Sequence, residues 1–104
     1  MSKPIKDIEL YNALCEVEEI LRRDGWCKGQ THAKTGEHCL SGAVDVVMTS
    51  GKYTDDQERY NLWSKLIRAL GNGQPIVSRF NDHPKTTFKD VLNRIKSTRE
   101  KLVC

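Results

Sequence analysis

Residues 25–45 read GWCKGQTHAKTGEHCLSGAVD. This stretch holds Cys27 and Cys39 of the four cysteines, His32 and His38 of the three histidines, and Trp26 of the two tryptophans. No apolar period runs through residues 24–38, where Gly29, Thr31, Thr35 and Gly36 are turn material. A connection of 15 residues is long for a compact domain, and ordered loops of that length are usually functional. Periodic segments lie on both sides of it, so the fold is read outward from here.

On the N-terminal side, Leu10, Leu14, Val17 and Leu21 recur at helical spacing, with Ala13 and Ile20 widening the stripe. This predicts a helix over 5–23, with Pro4 in its first turn and Arg22 and Arg23 at its negative end. Gly25 then ends the helix and Trp26 folds back as its apolar clasp. On the C-terminal side, Cys39, Leu40, Ala43, Val46 and Val47 share one face and predict a short helix over 39–49. Gly42 weakens that helix but allows a neighbour to approach closely.

Thr54 to Gln57 reads as a capping box opening a third helix, whose buried stripe is expected to be Tyr60, Trp63, Leu66, Ile67 and Leu70. Residues 71–85 form a second long connection. Ile76, Val77 and Phe80 within it need cover, so a short extended or single-turn segment is expected there. Thr87 and Asp90 cap a last helix, with Phe88, Val91, Leu92, Ile95 and Leu102 on its buried face.

These elements describe an all-α chain: a single compact four-helix domain over residues 1–104, approximately up-down-up-down, with two long connecting loops and frayed ends at 1–3 and 102–104. That topology puts both long loops at one end of the bundle. Trp26, His32, His38, Asn81, Asp82 and His83 are the candidate site residues for a ligand or partner.

The composition fits a folded domain, with 38% hydrophobic and 30% charged residues. No apolar run approaches a membrane span, and MSKPIKDIEL lacks the apolar core of a secretory signal. A cytoplasmic location with reduced cysteines is therefore expected. The net charge of +3 permits an acidic partner without requiring one.

Four chemistries compete. Cys27, His32, His38 and Cys39 are zinc ligand types, but their spacing matches no recognised zinc pattern, and adjacent His38 and Cys39 are poorly placed to share one ion. Cys39, at a helix start, could act as a nucleophile with His38 or His83 as base and Asp82 orienting His83, Ser41 being a weaker nucleophile candidate; no sequence signature surrounds either residue, and a buried structural thiol is the simpler reading. Asn81 and Asp82 could hold a polar ligand, although such side chains more often satisfy turn backbone. Lys85, Lys89, Arg94, Lys96, Arg99 and Lys101 spread around the last helix rather than forming one stripe, so weak phosphate-directed contact with nucleic acid is the most they support. No glycine-rich phosphate loop or other cofactor motif is present.

Gly25-Trp26-Cys27-Lys28-Gly29, Cys39-Leu40-Ser41-Gly42-Ala43 and Asn81-Asp82-His83-Pro84, followed by Thr87 and Asp90-Val91, stand in an order that resembles a bacterial and phage family of unknown function, number 6197. The likeness spans about Leu14 to Ile95. The chain departs from the pattern at Phe80, where a tryptophan often stands, and at Thr86, where an arginine is usual; any contact made by that arginine in relatives is missing here. The resemblance implies one helical domain and no stated activity. The expected function is a small cytoplasmic, non-catalytic binding or regulatory protein acting on a partner protein or small ligand, in a phage or mobile-element setting if the resemblance guides it. The alternatives are a hydrolase or transferase using Cys39, His83 and Asp82, or a zinc protein.

Overall fold

A computed structural model describes residues 4–72 and 77–103. Among the described residues it is helical, with isolated bridges and no strand: α1 Ile8–Asp24, α2 Leu40–Met48, α3 Asp56–Leu70, α4 Val77–Asn81 and α5 Phe88–Glu100. The four longer helices are those expected, and α4 is a single-turn element inside the second long connection. Ile76 lies outside the described residues.

α1 begins three residues later than its periodicity suggests. Asp7 is its cap, accepting the Leu10 N–H at 3.1 Å, and Pro4 lies ahead of it. The chain before Asp7 is held elsewhere: Lys6 N–H donates to the Leu102 carbonyl at 2.8 Å and Ile5 bridges Val103. Tertiary pairing there wins over helix extension. At the other end Gly25 adopts φ +94° and donates its N–H to the Leu21 carbonyl. Leu10, Ala13, Leu14, Val17, Ile20 and Leu21 are all buried.

Leu40, Ala43, Val44, Val47 and Met48 of α2 and Leu62, Leu66, Ile67 and Leu70 of α3 pack onto that stripe, joined by Val77, Val91 and Ile95. Truncating any fully buried leucine in this set to alanine costs about 2–5 kcal/mol. Glu18 of α1 accepts from Arg99 of α5 at 2.6 Å and from Arg22 at 2.9 Å. Partial burial alone would raise the Glu18 pKa, but the two guanidiniums outweigh it and hold the carboxyl below its usual range.

Two expectations about α3 are corrected. Its cap is Asp55, which accepts the Glu58 N–H at 3.0 Å, rather than Thr54 one position earlier. Aspartate caps at least as well as threonine, so a one-residue shift costs nothing. The buried stripe is centred on Leu62, Leu66 and Leu70, and it leaves Tyr60 62% and Trp63 38% exposed. The Thr87–Asp90 capping box forms in both directions, at 3.2 and 2.9 Å.

Candidate functional site

The two long connections meet through Asn81. Its side chain is fully buried, at the end of α4, and every polar atom on it is used. Oδ1 accepts the Trp26 indole N–H at 2.6 Å and the Leu40 backbone N–H at 3.0 Å. Nδ2 donates to the Cys27 carbonyl at 3.1 Å and to Asp82 Oδ1 at 2.9 Å. One amide thus closes the end of α1, the first turn of α2 and the loop between them onto α4. Such a group is expensive to bury unless all its bonds are made, and here they are.

Three further contacts continue the seam. Gly29 N–H donates to Asp82 Oδ1 at 2.9 Å, Lys28 Nζ donates to the His83 carbonyl at 2.8 Å, and the Trp26 ring lies parallel to Phe88, centroids 6.0 Å apart. The Gly29 N–H, and next the Asn81 amide, hold the Asp82 carboxyl below its ordinary pKa.

A second cluster sits on the same loop. Trp26 and His38 pair in a parallel bridge and His32 and His38 in an antiparallel one. His38 Nε2 lies 2.8 Å from Asp24 Oδ2, and His38 Nδ1 lies 2.8 Å from His32 Nδ1. With neutral rings, the proton that His38 gives to Asp24 is on Nε2, so its Nδ1 accepts from His32. Arg23 first, and then His38, hold the Asp24 carboxyl well below the usual carboxylate range. His38 is mostly enclosed, whereas His32 is exposed.

The six candidate residues therefore divide. Trp26, Asn81 and Asp82 share one hydrogen-bonded seam, His83 lies beside it through its carbonyl, and His32 and His38 pair with each other at Asp24. Asp24, Lys28 and Phe88 complete these arrangements without having been candidates. Asp24 could have been suspected as an acid placed, against the helix dipole, at the C-terminal end of α1. Nothing around Lys28 signals its contact, and the periodicity that marks Phe88 as a buried residue does not say that it meets Trp26.

The geometry bears on the competing chemistries. Among the described residues no three His, Cys, Asp or Glu side chains converge on a point where they could hold a metal ion. The Cys39 thiol is 5% exposed and caps α2, accepting the Gly42 N–H at 3.3 Å with Ser41 Oγ at 3.2 Å. Asp82 does not orient His83: its Oδ1 is taken by Gly29 and Asn81, and His83 Nδ1 accepts the Lys85 N–H at 3.1 Å. Burial, and then the neighbouring Cys39, push the Cys27 thiol above its ordinary pKa, opposite to an activated nucleophile. On α5, Arg94 lies over the Phe80 ring and donates to the Leu70 carbonyl, while Arg99 is paired with Glu18. These two cations are committed within the fold rather than arrayed for a phosphate backbone.

Among the described residues no helix is long and apolar enough to cross a membrane. No curated protein and no solved structure shows significant similarity to the chain. A family match covers residues 7–101, and the chain belongs to that family, the family of unknown function DUF6197.

Proposed function

We propose that this chain is a small, non-catalytic binding protein that recognises an acidic surface on a partner protein through the face built by residues 25–39 and 81–85. The observation that carries this reading is the seam itself: Trp26 to Asn81, Gly29 to Asp82 and Lys28 to His83 join segments more than fifty positions apart into one preformed surface. Preorganised loops bind without first losing conformational freedom. Around the seam, Lys34 and Lys85 are exposed, and with Lys28 they stand against Glu37 and Asp82, which leaves the face a small basic excess. Asn81 and Trp26 act as the scaffold beneath that face. A regulatory or inhibitory role follows naturally for a domain that acts by occupying its partner.

The test compares capture from a cell lysate by the wild-type chain, by Lys34→Glu/Lys85→Glu and by Cys39→Ser. The charge-reversed variant should lose the captured protein while keeping its helical signal, and Cys39→Ser should retain it. Capture that survives charge reversal but fails in Cys39→Ser would replace this reading with a thiol-dependent one.

A further inference from the structure

His38 stands between two partners, Asp24 Oδ2 at 2.8 Å from its Nε2 and His32 Nδ1 at 2.8 Å from its Nδ1. The two ring centroids are 5.0 Å apart and the ring planes nearly perpendicular, at 88°. At that spacing the two Nδ1 atoms face each other head-on. Lone pairs so aligned meet a proton between them and do not converge on a third point, as metal ligands would. One hydrogen therefore joins the rings, and there is no place for two. Opposed N–H groups would collide, and neither would have an acceptor.

The protons can be counted. Two neutral rings carry two hydrogens, one on His38 Nε2 toward Asp24 and one between the rings. A third goes onto His32 Nε2, on the exposed ring, with the contact intact. A fourth must enter the line between the two Nδ1 atoms and breaks it. We propose that the His32–His38 pair is an acid-sensitive tether for the tip of the 25–39 loop, closed with up to one proton added to the neutral rings and releasing His32 when a second binds. His32 is the ring that leaves, because the His38 side chain is 12% exposed and keeps its bond to Asp24. Arg23 first, and then His38, hold the Asp24 carboxyl well below the usual range, so it stays ionised where histidines titrate. The released state binds one proton more than the closed one, so falling pH favours release. The window lies at and below the ordinary histidine value of about 6.5 and above about 4, where ordinary carboxylates protonate.

The other charges around the pair do not replace this contact. Arg23 lies behind Asp24 and is bonded to it. Lys34 and Glu37 flank the pair within the loop, Glu37 against Gly25. Lys28 and Asp82 stand beyond the Trp26 ring, on the seam. The bridges put Trp26, His32 and His38 on one face of the loop, so Cys27 and Cys39 face the other way. Release leaves the turn its own bonds, Ala33 N–H to the Glu37 carbonyl at 2.7 Å and Gly36 N–H to the Ala33 carbonyl at 3.0 Å. What it loses is the side-chain tie to α1 through His38 and Asp24. The device belongs to the free chain and does not rest on the proposed function.

Nuclear magnetic resonance of the full chain between about pH 8 and 5 tests it through the histidine ring signals and the backbone amides. Two proton-uptake steps are expected, each seen by both rings and separated by about one pH unit or more. The second step should move the amides of residues 31–36 while the helical circular dichroism stays constant. His32→Asn puts a side-chain amide where Nδ1 stood, able to donate or accept but not to titrate. In that variant His38 should take up its proton in one step and the amides of 31–36 should stay still. Rings that each titrate in a single independent step overturn the proposal. So does a loop tip that ignores the second step, or one that moves equally in His32→Asn. Loss of the helical signal over the same range overturns it too, because the movement is then global unfolding.

Discussion

Asn81 accepts the indole N–H of Trp26 at 2.6 Å across 55 positions of chain. The same oxygen caps the first turn of α2 through Leu40 N–H, and the amide nitrogen serves Cys27 and Asp82. This one side chain ties the loop of residues 25–39 to α4, while backbone bonds within the loop, such as Cys27 N–H to the His38 carbonyl and Cys39 N–H to the Thr31 carbonyl, hold its own shape.

Asn81→Ala should therefore destabilise the protein by about 3 kcal/mol, since it strands a buried indole N–H and a helix-end N–H together. Trp26→Phe keeps an aromatic ring beside Phe88 but removes the donor and part of the ring's packing, so it should cost about 1–2 kcal/mol. Urea unfolding of the two variants should rank them in that order. Equal costs would mean that the amide is not the centre of the seam.

Cys39 acts as a helix cap, and this sets the sign of its substitutions. Cys39→Ser supplies a better acceptor for the Gly42 N–H and should leave stability unchanged or raised. Cys39→Ala removes the acceptor and should cost about 1 kcal/mol. Thiol labelling followed by mass spectrometry should modify Cys39 last among Cys15, Cys27 and Cys39, at a rate that follows unfolding.

Gly42→Ala should destabilise, although alanine is the better helix former. A Cβ at this position would run into the Thr31 backbone carbonyl, whose segment is fixed by Cys39 N–H at 3.1 Å. The loop must lift off α2 to make room, at a cost of about 1–3 kcal/mol. Gly51→Ala is a poor control because of its positive φ, so a surface alanine on α5 such as Lys96→Ala is the proper comparison in thermal melts.

Asp82 gives the seam a defined acid sensitivity. Its pKa is lower in the folded chain than in the unfolded one, because Gly29 N–H and the Asn81 amide favour the carboxylate. A depressed carboxyl contributes fully above its unfolded value and loses that contribution as pH falls through the folded one. Stability should therefore drop as pH falls below about 4. Asp24, depressed by Arg23 and His38, adds to the same slope. Asp82→Asn should flatten part of the decline below about pH 4 in urea titrations, and Asp24→Asn another part. A slope identical to wild type in both variants would contradict this account.

How much of this was legible beforehand varied by residue. The Leu10–Leu21 stripe, the Thr87–Asp90 box and the Gly25 stop are local features, set by neighbours within one helical turn, and each appears in the structure. The approach permitted by Gly42 is real, but that Thr31 makes it was not readable. The cap of α3 moved from Thr54 to Asp55 because two adjacent residues were both competent. Periodicity places Tyr60 and Trp63 on the apolar stripe of α3 without saying how wide a strip the neighbours cover, and the structure leaves both exposed. Of the candidate site, the residue types were visible and their pairings were not: nothing in the spacing of Asp24 and His38 signals a hydrogen bond.

The sequence by itself determined that the chain is helical, where its main helices lie, and that two aperiodic stretches carry its histidines, because helix periodicity and end signals act over a few residues. Only the tertiary structure decided that Trp26 meets Asn81, that Asp24 meets His38, and that one edge of α3 is left bare. Those outcomes depend on which surfaces the packed helices bring within 3 Å of each other, and a hydrogen bond between distant positions leaves no mark on the residues beside it in the chain.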